Sequence, residues 1–270
     1  RSLERSLERL GLERLPFFHI WCVLSMEAWE ERRRGGVLEA ARRAREEGLI
    51  EHLVVSTHMS GEETAELVRR GEIEGLTIGY CALNFPYRQT GIDAAGREGL
   101  GVVTMNPLGG GLIPRHAERF DFLRGPRDPD VVTAALRFVV AQPAVTSALV
   151  GFSRTCEVDQ AVAAVEDRPR LDSREVERLR RHIEDSFDGL CTGCGYCLPC
   201  PQGLPIPKLM DACNFQVLGG EADEVLRRLK GHWQIDPAVA EQCVECGRCE
   251  EACTQHLPII ESLRALQRWN

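Results

Sequence analysis

The chain has 270 residues, 43% hydrophobic and 27% charged, which suits a globular protein with one large domain and a smaller one. A formal net charge of −8 argues against nucleic acid or an anionic membrane surface as partner. No stretch approaches the ~20 apolar residues of a membrane span, and no stretch of these residues reads as a secretory signal.

Strand and helix signals alternate through the first 170 residues. A helix is expected over 1–12, a short apolar strand over 15–23, and a charged helix over 26–47. A strand at 52–57 is followed by Ser60, which can cap a helix over 61–70. The next pairs are a strand at 76–80 with a helix near 92–98, and a strand at 101–105 with a helix over 129–141 after a long loop. The strand at 146–150 leads into a helix over 156–166. Short apolar strands alternating with amphipathic helices predict an α/β fold with a parallel sheet covered by helices.

Twelve cysteines are unevenly spread: nine of them follow residue 190. Cys191, Cys194, Cys197 and Cys200 form one run, each separated by two residues, and Pro201 follows. Cys243, Cys246, Cys249 and Cys253 form a second, with three residues in the last gap. Three cysteines at successive intervals of three let one loop wrap an iron–sulfur cubane, with a fourth ligand supplied from elsewhere. In two-cluster ferredoxins that fourth ligand comes from the other run, which would join Cys253 to the first three and Cys200 to the second three. Structural zinc also uses such pairs, but would leave the third cysteine of each run idle. Two 4Fe–4S clusters on eight cysteines are therefore expected. Gly193, Gly195 and Gly247 fit tight loops around them, and Thr254 stands where proline usually follows the last cysteine. Cys213 is expected as a buried thiol, and Cys22, Cys81 and Cys156 as core residues. The residues between the runs show helical spacing at 207–215 and 221–231, as in an α-helical ferredoxin. Clustered cysteines of this kind favour a cytoplasmic protein.

Four segments in order resemble an aldo/keto reductase: Ser-Leu-Glu-Arg-Leu-Gly (6–11), Gly-Leu-Ile-Glu-His-Leu-Val-Val-Ser-Thr-His (48–58), Met-Asn-Pro-Leu-Gly-Gly-Gly-Leu (105–112) and Val-Gly-Phe-Ser-Arg (150–154). More narrowly, the whole chain resembles predicted oxidoreductases that fuse such a barrel to a C-terminal ferredoxin-type domain. The resemblance implies a partial (β/α)8 TIM barrel, comprising the last five strands, over residues 1–171. An α-helical 4Fe–4S dicluster domain over 172–270 would follow it.

The first residue is Arg1, and the first helix corresponds to the one after the family's third strand, so the chain is expected to lack its N-terminal strands. On that expectation, residues 1–270 alone would be aggregation-prone and without carbonyl reductase activity, while residues from about 172 onward could still assemble clusters. The family's catalytic tetrad is Asp, Tyr, Lys and His, and the first three would lie upstream. No lysine occurs before Lys208. His19 is the candidate for the tetrad histidine, although the family position falls on Trp21, which shares its strand face; a core histidine is the alternative.

The resemblance further implies that Ser56 and Thr57 hold the nicotinamide amide. Thr77 falls where the family often has glutamine, and Met105 replaces the aromatic that stacks on the nicotinamide. Leu108, Gly109 and Gly111 would lie along the pyrophosphate, and Ser153 and Arg154 at the adenosine phosphate, beside a helix N-terminus. The expected cofactors are two 4Fe–4S clusters with NADP(H) or NAD(H). The expected function is an iron–sulfur oxidoreductase acting on a small carbonyl or alcohol and exchanging electrons with a redox protein. The alternative is a 4Fe–4S electron-transfer module on a catalytically inactive barrel.

Overall fold

The structure is a computed structural model and describes residues 2–166, 171–186 and 189–269. In chain order its elements are α1 (Ser2–Leu10), β1 (Leu15–Val23), α2 (Met26–Arg34), α3 (Val37–Glu46), β2 (Ile50–Thr57), α4 (Gly61–Arg69), β3 (Gly75–Gly79), α5 (Phe85–Arg97) and β4 (Gly101–Met105). A 3-10 turn at Gly109–Gly111 leads to α6 (Leu112–Arg115), α7 (Val131–Val140), β5 (Val145–Leu149), α8 (Thr155–Glu166) and α9 (Ser173–Ser186). The remaining helices are α10 (Ile206–Val217), α11 (Ala222–Arg227), α12 (Arg248–Glu251) and α13 (Ile259–Arg268).

All five expected strands form, and they pair in parallel in the order β1-β2-β3-β4-β5. Parallel neighbours joined by helices repeat the βα unit of a (β/α)8 barrel. One sheet face carries Ile20, Val55, Leu76, Ile78 and Val102, all at most 4% exposed. Their apolar, partly β-branched side chains give the helices something to cover, and Trp29, Leu38 and Leu67 are among the buried residues of α2, α3 and α4. Ser60 forms the expected cap in full: its hydroxyl accepts from the amide of Glu63, whose carboxylate accepts from the amide of Ser60.

Three expectations differ in detail. The helix expected over 26–47 breaks at Gly35–Gly36 into α2 and α3, since two adjacent glycines weaken helix continuation. Helix α5 begins at Phe85, well before residue 92. Pro86 is tolerated in its first turn. Gly91 inside it permits contact with α4, since a Cβ there would lie 2.6 Å from Cβ of Thr64. Cys22 and Cys81 are buried as expected, but Cys156 is exposed, in the first turn of α8, whose buried residue is Ala164. Arg1, part of the expected first helix, lies outside the described residues.

The chain forms two compact units. The first comprises Arg1–Cys81, Tyr87–Pro107 and Arg137–Arg170; the second comprises Ala82–Pro86, Leu108–Leu136 and Leu171–Asn270. The second unit thus includes the glycine turn after β4 in addition to everything after residue 170. Its helical core is built on Leu209, Leu229, Leu263 and Leu266, all fully buried. Both cysteine runs pack on that core. Asp211 of α10, its side chain 11% exposed, accepts from Nε of Arg228 at 2.8 Å and Nε1 of Trp233 at 2.8 Å. The guanidinium of Arg115 reaches the other carboxylate oxygen at 3.5 Å. Residues 228–233 form a π turn rather than the expected end of a helix, and this turn carries Arg228 and Trp233 to Asp211. Among the described residues no helix is long and apolar enough to cross a membrane.

Candidate functional site

The first cysteine run lies in an irregular loop between α9 and α10. The second starts after a 3-10 turn at Pro237–Gln242 and continues through α12. Burial pushes the Cys191 thiol up to about 12, and the neighbouring Cys194, Cys253 and Cys197 add to that shift. Cys197 is pushed up to about 11, again by burial first, with Cys194, Cys253 and Cys249 adding to it. Cys253 thus stands among the first three cysteines. Thr254 follows it, buried, with its hydroxyl 3.5 Å from Sγ of Cys194. A cavity of about 130 Å³ is lined by Cys200, Cys243, Cys246 and Cys249, with Cys197 also on its wall. Cys253 thus lies by the first run and Cys200 by the second, with Cys197 near both groups.

Backbone donors reach the sulfurs. The amide of Gly193 donates to Sγ of Cys191 at 3.4 Å, and the amide of Leu257 to Sγ of Cys253 at 3.4 Å. The side chain of Asn214, from α10, spans both backbone groups of Cys191: it accepts from the amide at 2.7 Å and donates to the carbonyl at 2.7 Å. Glu245, inside the second run, is held by Nε of Arg264 from α13 at 2.7 Å.

Thiols buried this deeply are protonated at neutral pH unless a cation offsets the charge, and coordination to iron provides that offset. Eight clustered soft donors, amides aimed at sulfur and a cavity beside one set fit iron–sulfur ligation. Among the described residues no three His, Cys, Asp or Glu close on a point suited to a single metal ion. Cys213 is also pushed up to about 12 by burial, but it sits on α10 within the apolar core, as expected of a structural thiol.

The second group of expected residues is divided by the sheet register. Phe17, His19 and Trp21 of β1 are exposed on one face, and the pairings place Ser56, Thr77, Met105 and Leu149 on that face. Ser56 pairs directly with Thr77. Partial burial lowers the pKa of His19 from its usual value. Thr57 points to the opposite face, fully buried; its hydroxyl donates to the carbonyl of Val23 at 2.9 Å and accepts from the amide of Met59 at 3.0 Å. That side chain is committed to the fold, because successive strand residues face opposite ways. Leu108, Gly109 and Gly111 form the turn after β4.

At the start of α8, the carboxylate of Glu157 accepts from the amides of Ser153 at 2.7 Å and Arg154 at 3.2 Å, and from Nε of Arg154 at 3.1 Å. The chain's own carboxylate therefore occupies the anion position expected for a phosphate. Glu157, Asn214 and Thr254 were not legible as site residues, because each acts through a contact that spacing does not encode.

His58, directly after β2, is buried close to the buried Arg88; burial first and repulsion from Arg88 second push its pKa down to about 4. An unfolded histidine titrates near 6.5, so between pH 6.5 and 4 the unfolded chain binds a proton that the folded chain refuses. Stability is therefore full above pH 6.5 and falls as the pH drops. About 1 kcal/mol should be lost by pH 5.5. Urea titrations at pH 7 and 5.5 should show this loss in the parent protein and a clearly smaller one in His58→Gln. An equal loss in both would place the titrating group elsewhere.

Residues 190–257 match the sequence pattern of the 4Fe-4S dicluster domain. No curated protein is significantly similar to this chain in sequence. Among solved structures, a thermostable aldo-keto reductase in complex with the inhibitor epalrestat superposes with a TM-score of 0.51 at 19% identity, over 67% of this chain and 64% of that one. An aldo-keto reductase from Klebsiella pneumoniae in complex with NADPH gives 0.49 at 20% identity, over 67% of this chain and 63% of that one. The chain thus spans less than two thirds of the length of either structure. At that identity the likeness is one of fold: the five βα units follow the aldo-keto reductase barrel, and a 4Fe-4S dicluster-type region follows them.

Proposed function

We propose that this chain is an iron–sulfur oxidoreductase of aldo/keto reductase type, in which residues 1–171 supply a nicotinamide-binding sheet and 172–270 hold two 4Fe–4S clusters. The observation that carries this reading is that Cys253 lies near Cys191 and Cys197 while Cys200 shares a cavity wall with Cys243, Cys246 and Cys249, which supports two crossed sets of four. Two such clusters, exchanging one electron each, match the two electrons of a hydride from NADPH or NADH, with the proton left to solvent. The amide of Gly193 favours thiolate at Cys191, against the effect of burial. Ser56 and Thr77 offer adjacent hydroxyls to a nicotinamide amide, His19 offers an imidazole on the same face, and Leu108, Gly109 and Gly111 offer small residues to a pyrophosphate. Arg154 and Ser153 would take an adenosine phosphate only by releasing Glu157. A small carbonyl or alcohol is the proposed substrate class and a cytoplasmic redox protein the proposed partner.

A second reading, electron transfer on a barrel that reduces no carbonyl, is favoured by one observation. The hydroxyl of Tyr80, a buried residue, donates to Oε1 of Gln89 at 2.5 Å. An anaerobic titration of the iron-loaded protein with NADPH and NADH separates the two. Bleaching of the cluster absorbance by about one nicotinamide per chain is expected under the first reading. Clusters that respond to dithionite but to neither nicotinamide would leave the second.

A further inference from the structure

Three consecutive glycines, Gly109, Gly110 and Gly111, all have positive φ, at 61°, 66° and 86°. Their surroundings differ. A Cβ on Gly111 would meet nothing within 4 Å, and one on Gly109 would make ordinary contacts with Leu83 at 3.4 Å and Leu112 at 3.6 Å. A Cβ on Gly110 would lie 2.3 Å from the carbonyl oxygen of Thr192 and 3.3 Å from its carbonyl carbon. Both atoms are backbone and cannot rotate away. Thr192 stands between Cys191 and Gly193, at the start of the first cysteine loop. The other side of that loop is held by Asn214, which bonds the amide and the carbonyl of Cys191.

The turn itself is fastened to the same unit by contacts further along its segment. Arg115 reaches Asp211 at 3.5 Å, Arg119 reaches Glu224 at 3.6 Å, and His116 meets the Phe215 ring edge-on at 5.1 Å. The turn cannot readily retreat to admit a methyl group.

We infer that Gly110 is a positioning residue for the first cysteine loop: its bare Cα seats the Thr192 carbonyl and so sets where Cys191 and Cys194 present their thiols. The middle glycine thus has a task apart from the pyrophosphate contact proposed for Gly109 and Gly111. The spectroscopic part of this inference rests on the iron–sulfur reading above.

Gly110→Ala and Gly111→Ala form a matched pair, because both place a Cβ at positive φ and only the first drives it into Thr192. In the full iron-loaded chain, Gly110→Ala should shift or abolish the electron paramagnetic resonance signature that Cys194→Ser removes, and leave the one that Cys246→Ser removes. Gly111→Ala should leave both. In hydrogen exchange, amides of residues 189–195 should exchange at least about ten-fold faster in Gly110→Ala than in Gly111→Ala, because closure of the loop is weakened. Identical signatures in the two variants, whatever their exchange rates, would overturn the positioning role. A parent chain that takes up no iron would refute the proposed function instead, and the exchange comparison would then decide whether Gly110 seats the loop.

Discussion

Protein purified without oxygen is expected to carry about eight iron atoms per chain and a brown chromophore, and single cysteine variants should divide that iron into two halves. The division should cross the runs. Cys253 lies near Cys191 and Cys197, and the hydroxyl of Thr254 beside it is 3.5 Å from Sγ of Cys194. Cys200 lines one cavity with Cys243, Cys246 and Cys249. Cys253→Ser should therefore remove the same paramagnetic signature as Cys194→Ser, and Cys200→Ser the same as Cys246→Ser, each leaving about four irons. Cys213→Ser, buried in the apolar core of the second unit, should keep all of them. If Cys200→Ser and Cys194→Ser removed one and the same signature, the crossed assignment would fail. Stoichiometric zinc without colour would end the iron reading altogether.

A second large effect is expected at Asp211. Its carboxylate holds Arg228 and Trp233 at 2.8 Å each, and Arg228 lies over the rings of Phe215 at 5.7 Å and Trp233 at 5.5 Å. With side chains 11% and 18% exposed, Asp211 and Arg228 form a mostly buried pair. Deleting one partner leaves the other charge uncompensated, at a cost of about 3–5 kcal/mol. Asp211→Ala should accordingly lower the urea midpoint for loss of cluster absorbance by at least about 1 M, given slopes of about 1–3 kcal/mol/M. Asp211→Asn keeps an acceptor for the Trp233 indole and should fall between the parent and the alanine variant. A midpoint unchanged in Asp211→Ala would mean that the cation–π contacts and the apolar core hold this unit without the carboxylate.

Much of this molecule is legible in one dimension. Each of the five strands carries a short apolar run, because one face of the parallel sheet is covered by helices. Ser60 with Glu63 marks the start of α4, since a capping box is a local exchange of hydrogen bonds within four residues. The two cysteine runs declare an iron–sulfur site by spacing alone, because one loop must offer several thiolates to one small centre.

What the tertiary structure alone decided lies between residues far apart in the chain. Local pattern could not show that the Thr57 hydroxyl ties β2 to β1 by donating to the carbonyl of Val23. Nor could it place Glu157 where a phosphate was expected, expose Cys156, or bring Asn214 to Cys191 and Arg228 to Asp211. The Gly109–Gly111 turn shows the division most plainly. As a string of glycines it says only that the backbone bends freely. That the middle one lies under Thr192 follows from how the helices of the second unit pack, and packing is a property of surfaces in contact that no spacing along the chain records.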